Sequence, residues 1–261
     1  MADLVLTWEE MAEYFDAKQG DEGDLWHRAL INPTVLRVLG DVAGKRVLDL
    51  ACGNGALSRQ LARGGAWVTG VDGAEGMLVR AREREARQPL GIVYHLADAA
   101  CLTPLSGAAF DIVVCNMALM DIADAEGALR EASRVLRPGG RLVASIVHPC
   151  FEQGEHSAWV VERTGPATQV SRKVGRYREP FESTFYWRVG PGELWHTRWY
   201  HRPLSWYVRA LSAAGLAVTA LEEPAPTEEF LQNDTDGLWI QQVPLHLVFG
   251  AVKLVGGQAA R

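Results

Sequence analysis

The sequence predicts an α/β protein built on a doubly wound, mostly parallel sheet, and three observations carry that reading. Short apolar runs alternate with stretches of helical periodicity between about residues 46 and 147. The first run, Val47-Leu48-Asp49-Leu50, breaks at Ala51-Cys52-Gly53-Asn54-Gly55 and passes at once into a helical pattern, which is the entrance of a βαβ unit. After a fifth strand the alternation stops, and an aromatic-rich stretch intervenes before a helix and two further strands.

Composition narrows the class. With 261 residues, 48% of them apolar, the chain can bury a large core without disulfides or a structural metal. Cys52, Cys101, Cys115 and Cys150 are widely spaced and form no Cys-x-x-Cys pair, so neither a metal site nor a disulfide framework is expected, and a cytoplasmic setting fits. No basic-then-apolar leader is visible, and no apolar run approaches the roughly 20 residues that span a bilayer. A formal charge of −6 offers no general attraction to phosphate backbones, so neither nucleic acid nor membrane is an expected partner. No oligomeric state is assigned.

Residues 7–16 open with Thr7 and Glu10 at capping-box spacing and place Met11, Tyr14 and Phe15 on one helical face. A glycine-rich acidic loop follows, and residues 26–39 read as helix interrupted near Pro33. Residues 1–40 are thus expected to form a helical lid over a core at 41–149. In the glycine bend, Gly53 and Gly55 let the backbone turn and a ligand come close. The helix over 56–63 aims its free N–H groups at the same place. Asp49, just before the bend, would repel phosphate and suit a cationic or amine-bearing ligand. The second strand, residues 66–72, ends in Asp72, placed to accept hydrogen bonds from both ribose hydroxyls of a nucleoside, with helix N-capping as the plain alternative. Strands at 91–96, 110–116 and 141–147 complete the series, the last entered through a helix at 125–136 and a stop-and-turn at Arg137-Pro138-Gly139-Gly140.

Leu48-Asp49-Leu50-Ala51-Cys52-Gly53-Asn54-Gly55 resembles the first motif of the class I S-adenosylmethionine-dependent methyltransferases, an acid followed by Gly-x-Gly. The later segments fall in that family's order, so the resemblance covers roughly residues 40–150. It implies a Rossmann-like sheet of seven strands with the last one antiparallel, and S-adenosylmethionine as cofactor with S-adenosylhomocysteine as product. It implies that Asp72 holds the ribose, Met77 packs on the adenine and Asp98 bonds the adenine amino group. Ala51, Gly73 and Ala99 fall in the same set, with Asn116 beside the transferable methyl. Tyr14 could close over the sulfonium with its ring face. Asn116 is followed by Met117-Ala118-Leu119 and not by Pro-Pro-Tyr or Phe, so a base or amide N-methyltransferase of that kind is not expected.

Residues 150–202 carry ten of the chain's 22 Phe, Tyr and Trp residues. Alternation over 183–189 and 194–200, joined by Gly190-Pro191-Gly192, predicts a β-hairpin. This insertion would cover the substrate, with Phe151, Trp187, Trp199 and Tyr200 against it; a satellite core or a dimer surface is the alternative. Residues 203–261 return to the sheet with a helix at 203–214, strands at 216–221 and 243–255, and a tail at 256–261 expected to lack structure.

Methyl transfer from a sulfonium mainly needs alignment and exclusion of water, and no metal. A hydroxyl acceptor also gains from a general base, for which His148, after the fifth strand, and His201, at the end of the insertion, are the candidates. A small organic molecule methylated at oxygen is the expected acceptor, with nitrogen, carbon or RNA as alternatives. A nicotinamide-dependent oxidoreductase is disfavoured because Ser58 stands where the third glycine of the dinucleotide fingerprint belongs and Asp49 would confront the pyrophosphate.

Overall fold

The computed structural model describes residues 5–164, 167–234 and 237–255, so the expectation for the tail at 256–261 lies outside the described residues. The N-terminal part holds β1 (Val5–Leu6), α1 (Trp8–Gln19), a π-helical turn (His27–Ile31) and α2 (Asn32–Leu39). Helix α1 starts at Thr7 with both halves of the capping box in place. The helix read over residues 26–39 is split in two. Pro33 has no N–H to give to an α-helical ladder, so it sits in the first turn of α2 while a π-turn carries the chain up to it.

Next come β2 (Arg46–Leu50), α3 (Ala56–Arg63), β3 (Trp67–Asp72), α4 (Glu75–Arg87), β4 (Val93–Leu96), β5 (Phe110–Asn116), α5 (Ala125–Val135) and β6 (Leu136–Val147). Strand β6 starts one residue before the expected stop-and-turn, with Leu136 extended opposite Phe110. The next pairing is Arg141 with Ile112, so residues 137–140 bulge out of the ladder around Gly139 at φ +73°, where the turn is expected. Beyond a short 3₁₀ turn lie β7 (Ser157–Thr164), β8 (Ala167–Val174), β9 (Phe181–Gly190) and β10 (Glu193–His201), then α6 (Leu204–Ala213), β11 (Leu216–Glu222), α7 (Glu228–Asn233), α8 (Gly237–Ile240) and β12 (His246–Lys253).

The main sheet has seven strands in the order β11-β12-β6-β5-β2-β3-β4, parallel except that β12 is antiparallel to both neighbours. Both faces are covered, and successive strand residues separate onto them: Ile112 and Val114 join α2 and α3 on one side, Val113 and Cys115 join α5 and α6 on the other. The order reverses between β5 and β2, so the carboxyl ends of these two strands define the crevice where such sheets bind ligands.

The insertion contains the hairpin that the alternation predicts, β9 against β10, with β1 added in parallel to β10. A second hairpin, β7 against β8, was not legible because few apolar residues alternate along it. The insertion returns to the core through Arg202, which is 7% exposed. Its guanidinium donates to the carbonyls of Leu119, Ile122 and Ala123 at 3.1, 2.8 and 2.9 Å, between the rings of Tyr200 and Trp206. A planar fork reaches three carbonyls where an ammonium cannot. We expect Arg202→Lys to lower stability by roughly 2–4 kcal/mol, because buried carbonyls lose their donors; urea denaturation measures it, and a loss below about 0.5 kcal/mol would refute the clamp.

Candidate active site

The glycine loop is held open from behind. Asp72, at the end of β3, accepts the Gly53 N–H at 2.8 Å through Oδ2 and the Ala74 N–H at 2.9 Å through Oδ1, so one carboxylate fixes the turns after β2 and after β3. Gly55, at φ +76°, caps α3 from a left-handed conformation, and a Cβ there would stand 2.3 Å from the Tyr94 hydroxyl. Asn54 donates to the Asp16 carboxylate at 2.8 Å and to the Gly20 carbonyl at 3.0 Å, which ties the loop to the end of α1. Two non-glycine residues at this end of the sheet, Ala51 and Met117, are also left-handed, with φ of 57° and 53°. Such strain persists where the surroundings over-determine it, and both residues line the cavity described next.

That cavity, of about 590 Å³, lies across the carboxyl ends of β2, β3 and β5 under α1. Asp49, Ala51, Gly53, Asp72, Gly73, Met77, Asp98, Ala99 and Asn116 all line it. Gly55 lies beneath the loop and does not. Tyr14 is elsewhere too: its hydroxyl donates to the Arg188 carbonyl at 3.0 Å and its ring meets Trp187 and Trp195, so it joins α1 to the hairpin. Burial raises the Asp72 carboxyl pKa against the opposing backbone hydrogen bonds from Ala74 and Gly53. Burial likewise pushes Asp49 up to about 7, although Ser58 donates to it, and the neighbouring Asp72 charge adds to the rise.

A second chamber of about 270 Å³ adjoins the first, sharing Trp8, Phe15, His27, Met117 and Asp121 with it. Trp187 and Trp199 line it, along with Trp26 and Phe185. The remaining sequence candidates line neither space. His148 Nε2 faces the Glu223 carboxylate at 3.2 Å and its Nδ1 accepts the Cys150 N–H, with Phe151 against the ring. His201 Nε2 donates to the Tyr177 carbonyl at 2.9 Å and its ring stacks on Phe181. Tyr200 lies under Arg202. The chamber instead holds Asp24, His27, Asp121 and His246, none of which the motifs singled out. Asp24 and His27 stand three residues apart at the start of a helix, a spacing that was available in the sequence; His246 gives no local sign.

These residues suit S-adenosylmethionine. Asp72 keeps further lone pairs for a ribose diol, and Asp98, already accepting the Ala100 N–H through Oδ1, has its second oxygen for an amino group. A Cβ built on Gly53 meets no atom within 4 Å, so there is open space over bare backbone beside the cavity. Among the described residues, no cluster is arranged for a metal ion and no helix is long and apolar enough to cross a membrane.

Known proteins resemble the chain in sequence and fold. Residues 48–144 match a family model described as a methyltransferase domain. A ubiquinone biosynthesis O-methyltransferase of Coxiella burnetii is 34% identical over 154 residues, covering 55% of this chain and 64% of its own length. A demethylmenaquinone methyltransferase of Tropheryma whipplei is 38% identical over 125 residues, covering 48% of this chain and 49% of its own. The chain thus spans half to just under two thirds of the length of these relatives. The crystal structure of an S-adenosylmethionine-dependent methyltransferase from Mesorhizobium loti superposes with a TM-score of 0.68 at 28% identity, over 84% of this chain and 96% of the other. Residues 48–144 are thus similar to a methyltransferase domain on a Rossmann-like sheet. The chain's fold is similar to that of an S-adenosylmethionine-dependent methyltransferase.

The Asp49 carboxyl makes a test of the site's electrostatics. Its pKa is raised on folding, so the folded state holds a proton that the unfolded chain releases above about pH 4. Its contribution is full below that value and is lost as pH climbs to about 7. We expect Asp49→Asn to flatten the decline of ligand-free stability across that window, by at most about 1.4 kcal/mol per pH unit. Parallel urea curves for variant and parent at every pH would refute it.

Proposed function

We propose that the protein transfers a methyl group from S-adenosylmethionine to a small organic acceptor, at a hydroxyl oxygen. One observation carries this reading: the cavity lined by the glycine loop, Asp72 and Asp98 adjoins an aromatic chamber, with Met117 and Asp121 among the residues that line both. A donor site and an acceptor site thus meet where β5 ends. When bound, the donor supplies an electrophilic methyl on a sulfonium. The chain's part is to fix the nucleoside through Asp72 and Asp98, hold the acceptor in line with the methyl, and exclude water with α1 and the hairpin. The name of the Coxiella relative supports oxygen as the atom methylated. A chamber of about 270 Å³ suits a small molecule and not a nucleic acid, in keeping with the acidic charge of the chain. Four free cysteines suit a reducing cytoplasm.

Asp72→Asn puts an amide where two backbone N–H groups already point, and it removes the charge that strengthens bonds to ribose hydroxyls. We expect it to weaken S-adenosylhomocysteine binding by roughly 10- to 100-fold, measured by titration calorimetry, with far-ultraviolet circular dichroism unchanged. Absence of binding heat with the parent protein, for both donor and product, would overturn the proposed function itself.

A further inference from the structure

The acceptor chamber contains a histidine–carboxylate pair that the reading above leaves without a task. We propose that His27 is the general base that takes the acceptor's proton, that Asp24 positions it, and that the acceptor is a neutral, flat aromatic hydroxyl compound. This rests on the methyl-transfer reading of the adjoining cavity.

The geometry of the pair comes first. Asp24 Oδ1 lies 2.7 Å from His27 Nδ1 and also accepts the His27 backbone N–H at 3.0 Å. Burial alone would raise the Asp24 pKa, but the hydrogen bond from His27 and the Lys18 ammonium, 3.9 Å away, hold it below the ordinary value, so the carboxylate is ionised. An anionic oxygen at that distance places the ring proton on Nδ1 in preference to an acceptor role toward the Gln19 amide at 3.0 Å. The basic lone pair is then on Nε2, which has no hydrogen-bond partner among the described residues. His27 lines both spaces, so on the methyl-transfer reading it stands at the junction of donor and acceptor.

The other ionisable groups of the chamber are unsuited to the task. Burial pushes the Asp121 carboxyl well above its usual range against the opposing Arg202 charge, which favours its protonated, hydrogen-donating form. Burial, with the nearby His27 and His148, drives His246 down to about 3, too weak a base, while its buried Nδ1 lacks a partner and can meet a second polar group of the ligand. Glu152 is taken by Arg172, and Lys18 is a cation.

Shape and charge set the substrate class. Trp8, Phe15 and Trp187 meet edge to face at 5.2 to 5.9 Å, and Trp26, Phe185 and Trp199 complete the walls, leaving slots that suit a planar ring. Aromatic walls could also hold a cation. Here the Lys18 ammonium already lies 4.7 Å from the centre of the Trp187 ring and would repel one. In the step itself the acceptor oxygen bonds to the methyl carbon and the carbon–sulfur bond breaks with its electron pair left on sulfur. The hydroxyl proton passes to Nε2, giving an imidazolium held against Asp24 that returns the proton to solvent after product leaves.

The probe is 4-nitrophenol added to protein saturated with S-adenosylhomocysteine, with its nitrophenolate absorbance followed against pH. The parent protein should bind it and lower its ionisation midpoint by roughly one unit or more, through proton transfer to a partner that becomes cationic. His27→Gln should bind both ligands within about threefold of the parent and lose the shift. In single turnovers with S-adenosylmethionine, run well below the ionisation midpoint of free 4-nitrophenol, His27→Gln should slow 4-nitroanisole formation by about 10²- to 10⁴-fold. Asp24→Asn should keep a reduced shift and move the acid limb of the rate profile to lower pH, as loss of a carboxylate neighbour makes the imidazole less basic. A shift that survives in His27→Gln removes His27 as base, and an acid limb unmoved in Asp24→Asn removes Asp24. S-adenosylhomocysteine binding without 4-nitrophenol binding, or tighter binding of 4-nitroaniline, refutes the aromatic hydroxyl class alone; failure of S-adenosylhomocysteine to bind refutes the underlying methyl-transfer reading.

Discussion

The Asp72 carboxylate is the constraint on which the candidate site depends. It sits at the end of one parallel strand and holds, through backbone N–H groups, the bend that ends the neighbouring strand and the entry to its own helix. A carboxylate drawn partly out of water is costly unless it is hydrogen-bonded, and here the donors are the main-chain groups whose positions define the cavity floor. The loop is therefore set by the sheet rather than by the ligand. Asp49, one strand over and fully buried, accepts from Ser58 on the helix that follows the loop, so the strand, bend and helix are linked by side chains as well as by the chain itself.

The same economy joins the two chambers. Helix α1 is bound at its C-terminal end to the glycine loop through Asn54, and to α4 through Asp16 and Arg84, whose side-chain atoms approach to 2.7 Å. Along its length it meets the insertion hairpin through Trp8, Phe15 and Tyr14. Just before it, β1 pairs with β10. One element thus forms the roof of the larger cavity and a wall of the smaller one. A shift of α1 would loosen both together, a physical basis for coupling entry of donor and acceptor.

Much of the core was legible because its signals are local. The bend at Gly53 and Gly55, the acid at or next to the end of β3 and β2, and the apolar strands between helices are short-range consequences of backbone sterics and burial, and the residues placed in the cofactor group from that series nearly all line one cavity. Gly55 does not, because its task is to let the chain pass the Tyr94 hydroxyl. The acceptor side was less legible. His148 and His201 follow strands at the mouth of the sheet, which suggested catalysis, but the direction of each ring depends on distant partners, Glu223 and the Tyr177 carbonyl. His27 and His246 reach the chamber from opposite ends of the chain, and no periodicity within either segment reports that meeting.

Charge distribution follows from the same layout. The larger cavity has the buried Asp49 and the half-buried Asp72 carboxyl at its base, and negative charge there favours a positive ligand over a neutral one of similar shape. On the proposed reading, the donor is a sulfonium and the product a neutral thioether, so the attraction is strongest before transfer and fades when the methyl leaves. Asp49, poised at about 7, would ionise as the cation enters and take up a proton again after it is discharged. Product release would then be helped by the groups that captured the donor, without any movement of the loop that Asp72 holds in place.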